Sequence, residues 1–395
     1  MRRKSVFIEV LVRRFALAGR HHVSNLPNYP SLPPPLGGSP SSPLYPKHLR
    51  RRSEVFSALA RTAALLLVLS SSAIAAVTEV RSIGLTVDNL NRELVFYTNT
   101  LPFHLISIQD KSGPDEDALL GSRDVNLRVA TLKLGDESIT LTEHLTDKGR
   151  RIPLDSRSFD HWFQHIAIVV SDMERVYESL RAQKVKHVSS APQTLPEWNK
   201  HAGGIKAFYF RDPEDHVLEI IWFPKGKGHP KWQTGTEQLF LGIDHTAIVI
   251  SDTDSSVAFY RDALGMNVTG ESENYGVEQE HLNQVFGARL RITALRGPKG
   301  PRVELLEYIT PPGGRCLPQD SKSNDLVFWS TELVTDSFDD LASRLRSNTV
   351  TFVSDILPSA KDAPKANRAV FIRDPEGHAI QLSDPSPIVS ASAQR

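Results

Sequence analysis

Two widely separated stretches of the chain share one pattern of apolar and polar residues. In residues 208–220 an alternating apolar run meets Arg-Asp-Pro and resumes as a second apolar run, and residues 370–382 repeat this arrangement. Apolar runs joined by a tight polar turn are typical of two antiparallel strands. The pattern predicts a duplicated β-hairpin, whose copies differ at one inward-facing position: Glu219 in the first and Gln381 in the second.

A second repeat gives the period of the duplication. Residues 243–252 form an apolar run that is followed by a Phe-Tyr pair at helical spacing (Phe259), and residues 80–87 form a similar run followed by the same pair (Phe96). The phenylalanines are 163 residues apart (259 − 96), and the Arg-Asp-Pro turns are 162 apart (373 − 211). Two halves of roughly 160 residues, each the size of a domain, are therefore copies of one another.

The same unit recurs at a smaller scale within each half. Residues 163–172 match residues 243–252 nearly one for one, and both runs precede apolar residues at helical spacing. A strand, a helix and three further strands is the simplest unit that fits, which predicts an α+β fold of four βαβββ modules. We name the modules A (79–150), B (160–224), C (240–312) and D (324–386), with a polar linker rich in Gly and Pro at 225–239.

The chain before module A has a different composition. Residues 50–76 combine arginines, a short apolar core and a stretch of small residues, which is typical of a signal peptide; a membrane anchor is the alternative. Residues 1–49 are rich in Pro and Ser and are predicted to be disordered, as is the tail 387–395. The protein is expected to be periplasmic or secreted if the signal is real, and membrane-anchored or cytoplasmic otherwise.

The net charge argues against nucleic-acid binding, and the cysteine content excludes disulfides within the chain and thiolate metal clusters. The chain has 46 basic and 46 acidic residues and a formal net charge of zero, whereas a nucleic-acid-binding protein would need a clearly basic surface. The single cysteine, Cys316, excludes an intramolecular disulfide and a thiolate metal cluster. Nucleic acid is therefore not expected as a partner.

The strands that carry His165 and His245, the Phe-Tyr helix and the Asp-Pro-x-x-His-x-x-Glu hairpin resemble the vicinal oxygen chelate superfamily. This superfamily includes glyoxalase I, extradiol dioxygenases, methylmalonyl-CoA epimerases and bleomycin resistance proteins. The resemblance covers about 310 of the 395 residues. It implies two tandem glyoxalase-like domains, 79–224 and 240–386, whose modules pair into cup-shaped mixed sheets around a metal. It is specific for the fold and weak for the reaction, because one scaffold hosts several chemistries.

The resemblance also implies where metal ligands would lie, since the family takes one ligand from the first strand of a module and one from its last. Module B supplies His165 and Glu219, and module C supplies His245 and Glu304. Imidazole and carboxylate together suit Zn, Ni, Co, Fe or Mn, so one divalent metal per chain is expected. The corresponding residues are Ser82 and Thr140 in module A, and Gln381 with Val327, Phe328 or Trp329 in module D.

The pairing of the modules decides whether these residues form one site. If A pairs with B and C with D, each half holds one His and one Glu, with Gln381 as a third ligand in the second half, and metal would bind weakly. If A pairs with D and B with C, as in tandem proteins that resemble fused glyoxalase I, all four residues form one site. Modules A and D then have Ser82, Thr140, Phe328 and Gln381 at the corresponding positions, and this set would not bind a metal. We expect this second arrangement, because random losses would not spare all four positions of one pair.

The function implied by the resemblance is that of a metal-dependent enzyme similar to glyoxalase I, a lyase or isomerase. The metal would hold two vicinal oxygens of a small substrate and stabilise the enediolate as a Lewis acid, while Glu219 or Glu304 removes the proton from the adjacent carbon. A glutathione adduct is a doubtful substrate if the protein is exported. Four modules in one chain permit a monomer.

Two alternative functions are compatible with the same resemblance. A binding protein of the bleomycin-resistance type would sequester its ligand without a metal, in an aromatic cleft. Candidates for such a cleft are Trp162, Trp198, Trp222, Phe328 and Trp329. A dioxygenase is the second alternative, disfavoured because module D lacks the histidine and carries glutamine at the ligand positions.

Other polar residues have ordinary structural explanations. His216 and His378 occur in the hairpin turns of both the intact and the stripped module, and we interpret them as turn or packing residues. Glu143 and Glu307 follow the last strands and are interpreted as surface charges. A polar segment near the mouth of module C either lines the pocket or is solvated; it contains Asn274, Tyr275, Glu278, Glu280 and His281.

Overall fold

The computed structural model describes residues 76–233, 235–354 and 368–385. The predicted N-terminal extension 1–49, almost all of the predicted signal segment 50–76 and the predicted tail 387–395 lie outside these ranges. Within them, none of the helices combines the length and the apolar character that a bilayer crossing requires.

Four βαβββ modules follow one another along the described chain, as the sequence pattern predicts. Module A contains β1 (Val77–Val87), α1 (Leu90–Val95), β2 (His104–Ser112), α2 (Pro114–Leu120), β3 (Asn126–Leu134) and β4 (Glu137–His144). Module B contains β5 (Gln164–Val170), α3 (Met173–Ala182), β6 (Lys186–His187), β7 (Gln193–Thr194), β8 (Lys206–Arg211) and β9 (Val217–Trp222). The linker includes a 3-10 turn, Pro230–Gln233.

The second half repeats this order. Module C contains β10 (Phe240–Ile250), α4 (Thr253–Val257), β11 (Asn267–Tyr275), α5 (Val277–Asn283), β12 (Arg289–Arg296) and β13 (Arg302–Thr310). Module D contains β14 (Trp329–Thr335), α6 (Phe338–Ser347), β15 (Thr351–Phe352), β16 (Ala369–Arg373) and β17 (Ala379–Ser383). Helices α1 and α4 each continue into a π-helical turn, Phe96–Thr100 and Ala258–Ala263.

The first helix of modules A, B and C begins at the same kind of cap. The side chains of Asn89, Asp172 and Asp252 each accept a hydrogen bond from the backbone three residues later. Such caps satisfy amide groups that the first helical turn leaves unpaired. Glu143 and Glu307, which we interpreted as surface charges, add a second acceptor, because they accept bonds from the first residues of α1 and α4 at 3.2 and 3.3 Å.

The modules pair across the two halves of the chain. Modules A and D form an eight-stranded sheet in the order β15-β16-β17-β14-β1-β4-β3-β2, and modules B and C form the main path of a nine-stranded sheet in the order β11-β12-β13-β10-β5-β9-β8-β6. In each sheet the first strands of the two modules are antiparallel neighbours at the centre. The arrangement expected from the distribution of His and Glu, A with D and B with C, is confirmed.

The hydrophobic cores join the modules in the other combination. One core cluster draws its residues mainly from modules A and B, and another mainly from modules C and D. Tyr97 after α1 donates its hydroxyl to Asp212 in the module B turn at 3.2 Å, and Tyr260 after α4 donates to Asp374 in the module D turn at 3.1 Å. Modules that are consecutive in the chain, A and B or C and D, therefore pack against each other, although their strands belong to different sheets.

Two histidines in hairpin turns, His216 and His378, form hydrogen bonds that connect the two sheets. His216 Nδ1 bonds Asp212 at 2.8 Å and its Nε2 bonds the carbonyl of Leu326, in the loop before β14, at 3.1 Å. His378 repeats this with Asp374 at 2.9 Å and the carbonyl of His161, before β5, at 2.9 Å. All four partners are acceptors, so both rings donate from both nitrogens. These contacts agree with the interpretation of His216 and His378 as packing residues.

Glu93 is a buried acid beside the first of these turns. It is fully buried in α1, and neither carboxyl oxygen has a hydrogen-bond partner among the described residues. The guanidinium of Arg92 bonds Glu214 at 2.7 Å and stays 3.8 Å from Glu93. Burial, followed by the charges of Asp212 and Glu214, raises the pKa of Glu93 to about 10. The carboxyl group is therefore neutral in the folded protein near pH 7.

Replacing Glu93 by Gln should stabilise the protein at alkaline pH. A raised pKa in the folded state contributes stability that is complete below the usual value of 4.5 and is lost as pH rises toward about 10. Glutamine keeps the shape of the neutral acid and has no proton to lose. We expect Glu93→Gln to raise the free energy of unfolding at pH 8 and to flatten its decline, as measured by urea denaturation across pH. An unchanged pH profile would contradict the assignment.

Candidate metal centre and catalytic cavity

The four candidate ligands lie on four adjacent strands of the nine-stranded sheet. His165 is on β5 and His245 on β10, the two central strands, whereas Glu219 is on β9 and Glu304 on β13, their outer neighbours. Paired residues, and residues two apart along a strand, share one face of a sheet. We call the face that carries these four residues the metal face.

Two alanines leave space among the four side chains. Ala167 of β5 is paired with both His245 and Glu219, and Ala247 of β10 is paired with both His165 and Glu304. Both alanines are fully buried on the metal face. A larger residue at either position would occupy the space into which the imidazole and carboxylate groups converge.

The polar atoms of the four residues approach one another closely. Glu219 Oε2 lies 3.1 Å from His165 Nε2 and 3.4 Å from His245 Nε2, and His245 Nε2 lies 3.4 Å from Glu304 Oε2. Ligand atoms of His165, Glu219 and His245 all lie within 4.8 Å of one another. The structure therefore brings together all four residues predicted from the sequence, and it does so because module B pairs with module C.

A fifth residue, Asp244, joins the group through a β-bulge. Ile243 is paired with Ile168 and His245 with Ala167, so Asp244 is an extra residue without a partner on β5. Its Oδ2 bonds His245 Nδ1 at 3.0 Å, and its Oδ1 accepts a 2.7 Å bond from Trp232 in the linker. A carboxylate behind a histidine fixes the direction of the other ring nitrogen. The sequence pattern does not indicate Asp244, because in a regular strand its side chain would point away from the metal face.

The two histidines differ in this support. Asp244 holds the Nδ1 of His245, whereas the Nδ1 of His165 has no hydrogen-bond partner among the described residues. The ring of His165 instead packs against Tyr209, with ring centroids 4.8 Å apart. Carboxylates thus hold both ring nitrogens of His245, whereas His165 is oriented by its one bond to Glu219 and by packing against Tyr209.

The group carries an excess of negative charge. Three carboxylates, those of Glu219, Glu304 and Asp244, surround His245. Among the described lysines and arginines, Arg302 forms ion pairs with two of them, Asp244 and Glu304. Burial alone lowers the pKa of His245, but the charge of Glu304 and the bonds to Asp244 and Glu219 raise that pKa to about 10. Burial raises the pKa of Glu219, yet the bonds from His165 and His245 lower it overall.

This donor set fits a divalent cation. The ligand atoms of His165, Glu219 and His245 lie within 4.8 Å of one another, and Glu304 lies beside His245 at 3.4 Å. The neighbouring carboxylates hold a proton on His245, which balances part of their charge. A metal ion binds the deprotonated forms of the same groups and replaces that proton. The mixture of nitrogen and oxygen donors suits Zn, Ni, Co, Fe or Mn without selecting one of them.

The corresponding face of the eight-stranded sheet holds an ion pair. Ser82 is paired with Glu332, and Arg81 and Ser82 both donate to the Glu332 carboxylate at 2.9 Å. The register also corrects one prediction: the residue of module D equivalent to His165 is Ser330, paired with Gly84, and not Val327, Phe328 or Trp329. The positions of Ser82, Thr140, Ser330 and Gln381 form no metal cluster among the described residues.

A cavity of about 290 Å³ opens over the metal face. Besides the four candidate ligands, it is lined by Arg302, Tyr209, Asn274 and Gln279 and by apolar residues such as Leu282. Of the polar segment in module C, Asn274 thus lines the cavity, while Tyr275, Glu278, Glu280 and His281 are not among its lining residues. None of the five aromatic residues proposed for a binding cleft is among the described residues that line it.

Replacing Asp244 by Asn should weaken metal binding by about 10- to 100-fold, because residues that orient a ligand contribute this much to affinity. Asparagine keeps the size but loses the charge that holds Nδ1 of His245. Competition between the protein and a chromophoric chelator for Zn²⁺ would measure the change. Asp254→Asn, which alters an exposed carboxylate on α4, should leave the affinity unchanged. Equal affinity in the wild type and Asp244→Asn would contradict the orienting role.

Both halves of the chain match the same protein family. The model of the glyoxalase/bleomycin resistance protein/dioxygenase superfamily matches residues 79–220 and 242–382. A 2-epi-5-epi-valiolone epimerase from Actinomyces sp is 30% identical over 155 residues, which is 37% of this chain and 80% of that protein.

Solved structures of glyoxalase I from Zea mays are similar to this chain in fold. The match covers 78% of this chain and 92% of that one, with a TM-score of 0.52 and 15% identity. A mutant of the same enzyme gives a TM-score of 0.54 at 16% identity, covering 78% of this chain and 93% of the mutant. At this identity the likeness concerns the fold.

Proposed function

The chain belongs to the glyoxalase/bleomycin resistance protein/dioxygenase superfamily, and from this premise we propose that it is a metal-dependent enzyme that moves a proton at a carbon next to a carbonyl group. The substrate is a small molecule with neighbouring oxygens, and the reaction is an isomerisation, an epimerisation or a glyoxalase-like rearrangement. The observation that carries this proposal is the convergence of His165, Glu219, His245 and Glu304 at the cavity.

Some residues of the site would bind the metal ion, and another would remove the proton from the substrate. His165, His245 and Glu219 would hold the ion, since their ligand atoms lie within 4.8 Å of one another. A divalent cation there would act as a Lewis acid that polarises the substrate carbonyl and acidifies the hydrogen on the next carbon. Asp244 keeps His245 in the orientation that this holding role requires.

Glu304 is the better placed general base. Its side chain is 14% exposed, against 5% for Glu219, so a bound substrate has more access to it. Glu219 is held by both histidines and its pKa is lowered, which makes it a weaker base. Arg302 lies 3.2 Å from Glu304 Oε1 and would hold that carboxylate in place while its other oxygen accepts the proton.

The charges of the cavity favour an uncharged substrate. The basic residues among its described lining are Arg302, His201 and the candidate ligands His165 and His245, and Arg302 is already paired with Asp244 and Glu304. Glu271 adds a further carboxylate. Even with a divalent ion bound, the four carboxylates of Asp244, Glu219, Glu304 and Glu271 outnumber the three positive charges of the ion and Arg302. A phosphate or carboxylate group is therefore disfavoured, whereas hydroxyl groups could bond Asn274 and Gln279. The epimerase relative is named for 2-epi-5-epi-valiolone, which is therefore the first compound to test.

A dioxygenase is the second candidate, because two histidines and one carboxylate are also the ligand set of non-haem iron oxygenases. It differs from the first in a measurable way, since an oxygenase consumes O₂. A sequestering protein would bind its ligand without turnover and without metal. The cavity contains buried ionisable groups in place of an aromatic cleft, which supports the metal-dependent candidates.

Hydrogen exchange tests the proposal directly. The Zn²⁺-, Co²⁺- and Mn²⁺-loaded proteins would each be incubated in D₂O with 2-epi-5-epi-valiolone and with simpler α-hydroxy ketones. Proton NMR should show loss of the signal from the hydrogen next to the carbonyl, under anaerobic conditions. Glu304→Gln should slow the exchange by about 100-fold or more, the usual contribution of a general base.

Glu271→Gln is the matched control, because it removes a carboxylate that lines the same cavity outside the ligand group. It should retain most of the exchange activity. Exchange that persists after metal removal, or that is equal in Glu304→Gln and the wild type, would refute the proposal. Oxygen consumption with the iron-loaded protein would favour the dioxygenase.

A further inference from the structure

A second cavity, of about 390 Å³, lies against the eight-stranded sheet. Phe371 is paired with Gln381, which is paired with Glu332, so Phe371 shares the face that corresponds to the metal face. Arg373 and Ala379, two residues along their strands from this row, are paired with each other and lie on the same face. All three of Phe371, Arg373 and Ala379 line the cavity.

The corresponding residues of the nine-stranded sheet border a much smaller space. By the register of the strands, Arg373 corresponds to Arg211 and Ala379 corresponds to Val217. Arg211 and Val217 border a space of only about 20 Å³. Both arginines donate one bond of 2.7 Å to a carbonyl of their own turn, so the two hairpins are built alike. The difference is the larger space beside Arg373.

Three basic residues, Arg373, Lys322 and Arg123, and two acidic ones, Asp124 and Asp147, line this second cavity. Arg373, half-buried, forms no ion pair with a described residue, and neither do Lys322 and Arg123 at its rim, as far as the described chain extends. Burial lowers the pKa of Arg373, and the charge of Asp374 only partly offsets this. A partly buried guanidinium that forms no ion pair would gain from an anionic ligand.

The wall of the cavity next to Arg373 is aromatic. Phe328 and Phe371 meet edge to face with centroids 6.0 Å apart, and the guanidinium of Arg373 lies 5.5 Å from the centre of the Phe328 ring. The exposed carboxylates of Asp124 and Asp147 are at the rim. The site thus combines a planar cation with an apolar surface.

We propose that this cavity is a second, metal-independent binding site for a small organic anion, a carboxylate carried on an aromatic ring. The carboxylate would pair with Arg373, whose fork of donors matches two oxygens, and the ring would pack on Phe328 and Phe371. This site is separate from the metal centre and does not depend on the proposed reaction.

Benzoate is a suitable probe, with benzyl alcohol as its uncharged counterpart. In isothermal titration of the full chain with a chelator present, benzoate should bind saturably and raise the melting temperature. Benzyl alcohol should bind far more weakly. Arg373→Gln should reduce benzoate affinity about 10-fold or more, the typical effect of losing a charged hydrogen-bonded pair. Arg211→Gln, the equivalent change beside the small space, should leave it unchanged.

Ala379→Val provides a second variant in case Arg373→Gln fails to fold. Valine is the residue at the corresponding position of the other sheet, and it would narrow the space beside Arg373 while Arg373 is retained. It should also weaken benzoate binding. The proposal is overturned if the wild type shows no saturable binding, if folded Arg373→Gln or Ala379→Val binds as well as the wild type, or if benzyl alcohol binds as tightly as benzoate.

Discussion

His165→Ala and His245→Ala should each abolish tight Zn²⁺ binding, and the double variant should lose nothing further. The two histidines come from modules B and C, and both approach the same carboxylate, Glu219, at 3.1 and 3.4 Å. Residues that share one binding event are strongly non-additive, whereas independent sites lose occupancy separately. The wild type should bind about one Zn²⁺ per chain, as found by elemental analysis after dialysis.

The melting temperature gives an independent readout of the same coupling. A ligand stabilises the state that binds it, so Zn²⁺ should raise the melting temperature of the wild type and of neither single variant. His201→Ala, which alters a histidine lining the cavity outside the ligand group, is the matched control and should keep the Zn²⁺ effect. If each single variant instead retains half of the metal, the two histidines do not share one site.

Asp374→Ala should lower the free energy of unfolding by about 3–5 kcal/mol, the usual cost of breaking a buried charged pair. Asp374 accepts hydrogen bonds from Tyr260, from the ring and backbone of His378, and from the backbone of Glu376. Its loss removes the carboxylate that these groups share and leaves the charge of Glu376 as the remaining one that favours protonation of the His378 ring. Chemical denaturation near pH 6 would measure the effect.

The pH dependence of this loss identifies its cause. Burial lowers the pKa of His378, but the charge of Asp374 and the hydrogen bonds raise it above its usual 6.5. A raised histidine pKa contributes stability that is complete below 6.5 and disappears as pH rises through the folded value. The difference between wild type and Asp374→Ala should therefore shrink at alkaline pH.

An exposed ion pair supplies the control for Asp374. Asp262→Asn removes the partner of Arg261, and both side chains are more than half exposed. Exposed pairs of this kind contribute little to stability, so this variant should be close to the wild type. A loss as small in Asp374→Ala as in Asp262→Asn would show that the turn carries little of the stability.

Sequence patterns located the candidate ligands because each is tied to a repeated element. His165 and His245 lie in nearly identical apolar runs, and Glu219 follows a hairpin whose turn recurs at residue 373. Where no such anchor existed the prediction was wrong: module D has no histidine in its first strand, and its equivalent residue is Ser330 and not one of the three residues before it.

Asp244 illustrates a different limit. It is adjacent to His245, and alternation along a strand would place the two side chains on opposite faces. The bulge in β10 brings both toward one charge cluster, and only the register with β5 reveals that bulge. Similarly, Arg302 follows a loop and is recognisable as part of the site only from its ion pairs with Asp244 and Glu304.

The sequence alone determined the duplication, the four modules and the residues that can bind metal, because these depend on local periodicity and on residue type. The distribution of His and Glu indicated that A pairs with D and B with C, but only the tertiary structure shows the strand pairing that makes this arrangement. Backbone hydrogen bonds between β5 and β10, or between β1 and β14, have the same chemistry for any sequence, so the pattern of one strand does not specify its partner. The choice is made by side chains distant in sequence, such as Tyr97 on Asp212 and His216 on the loop before β14, which fix the two sheets in the one arrangement that assembles the metal face.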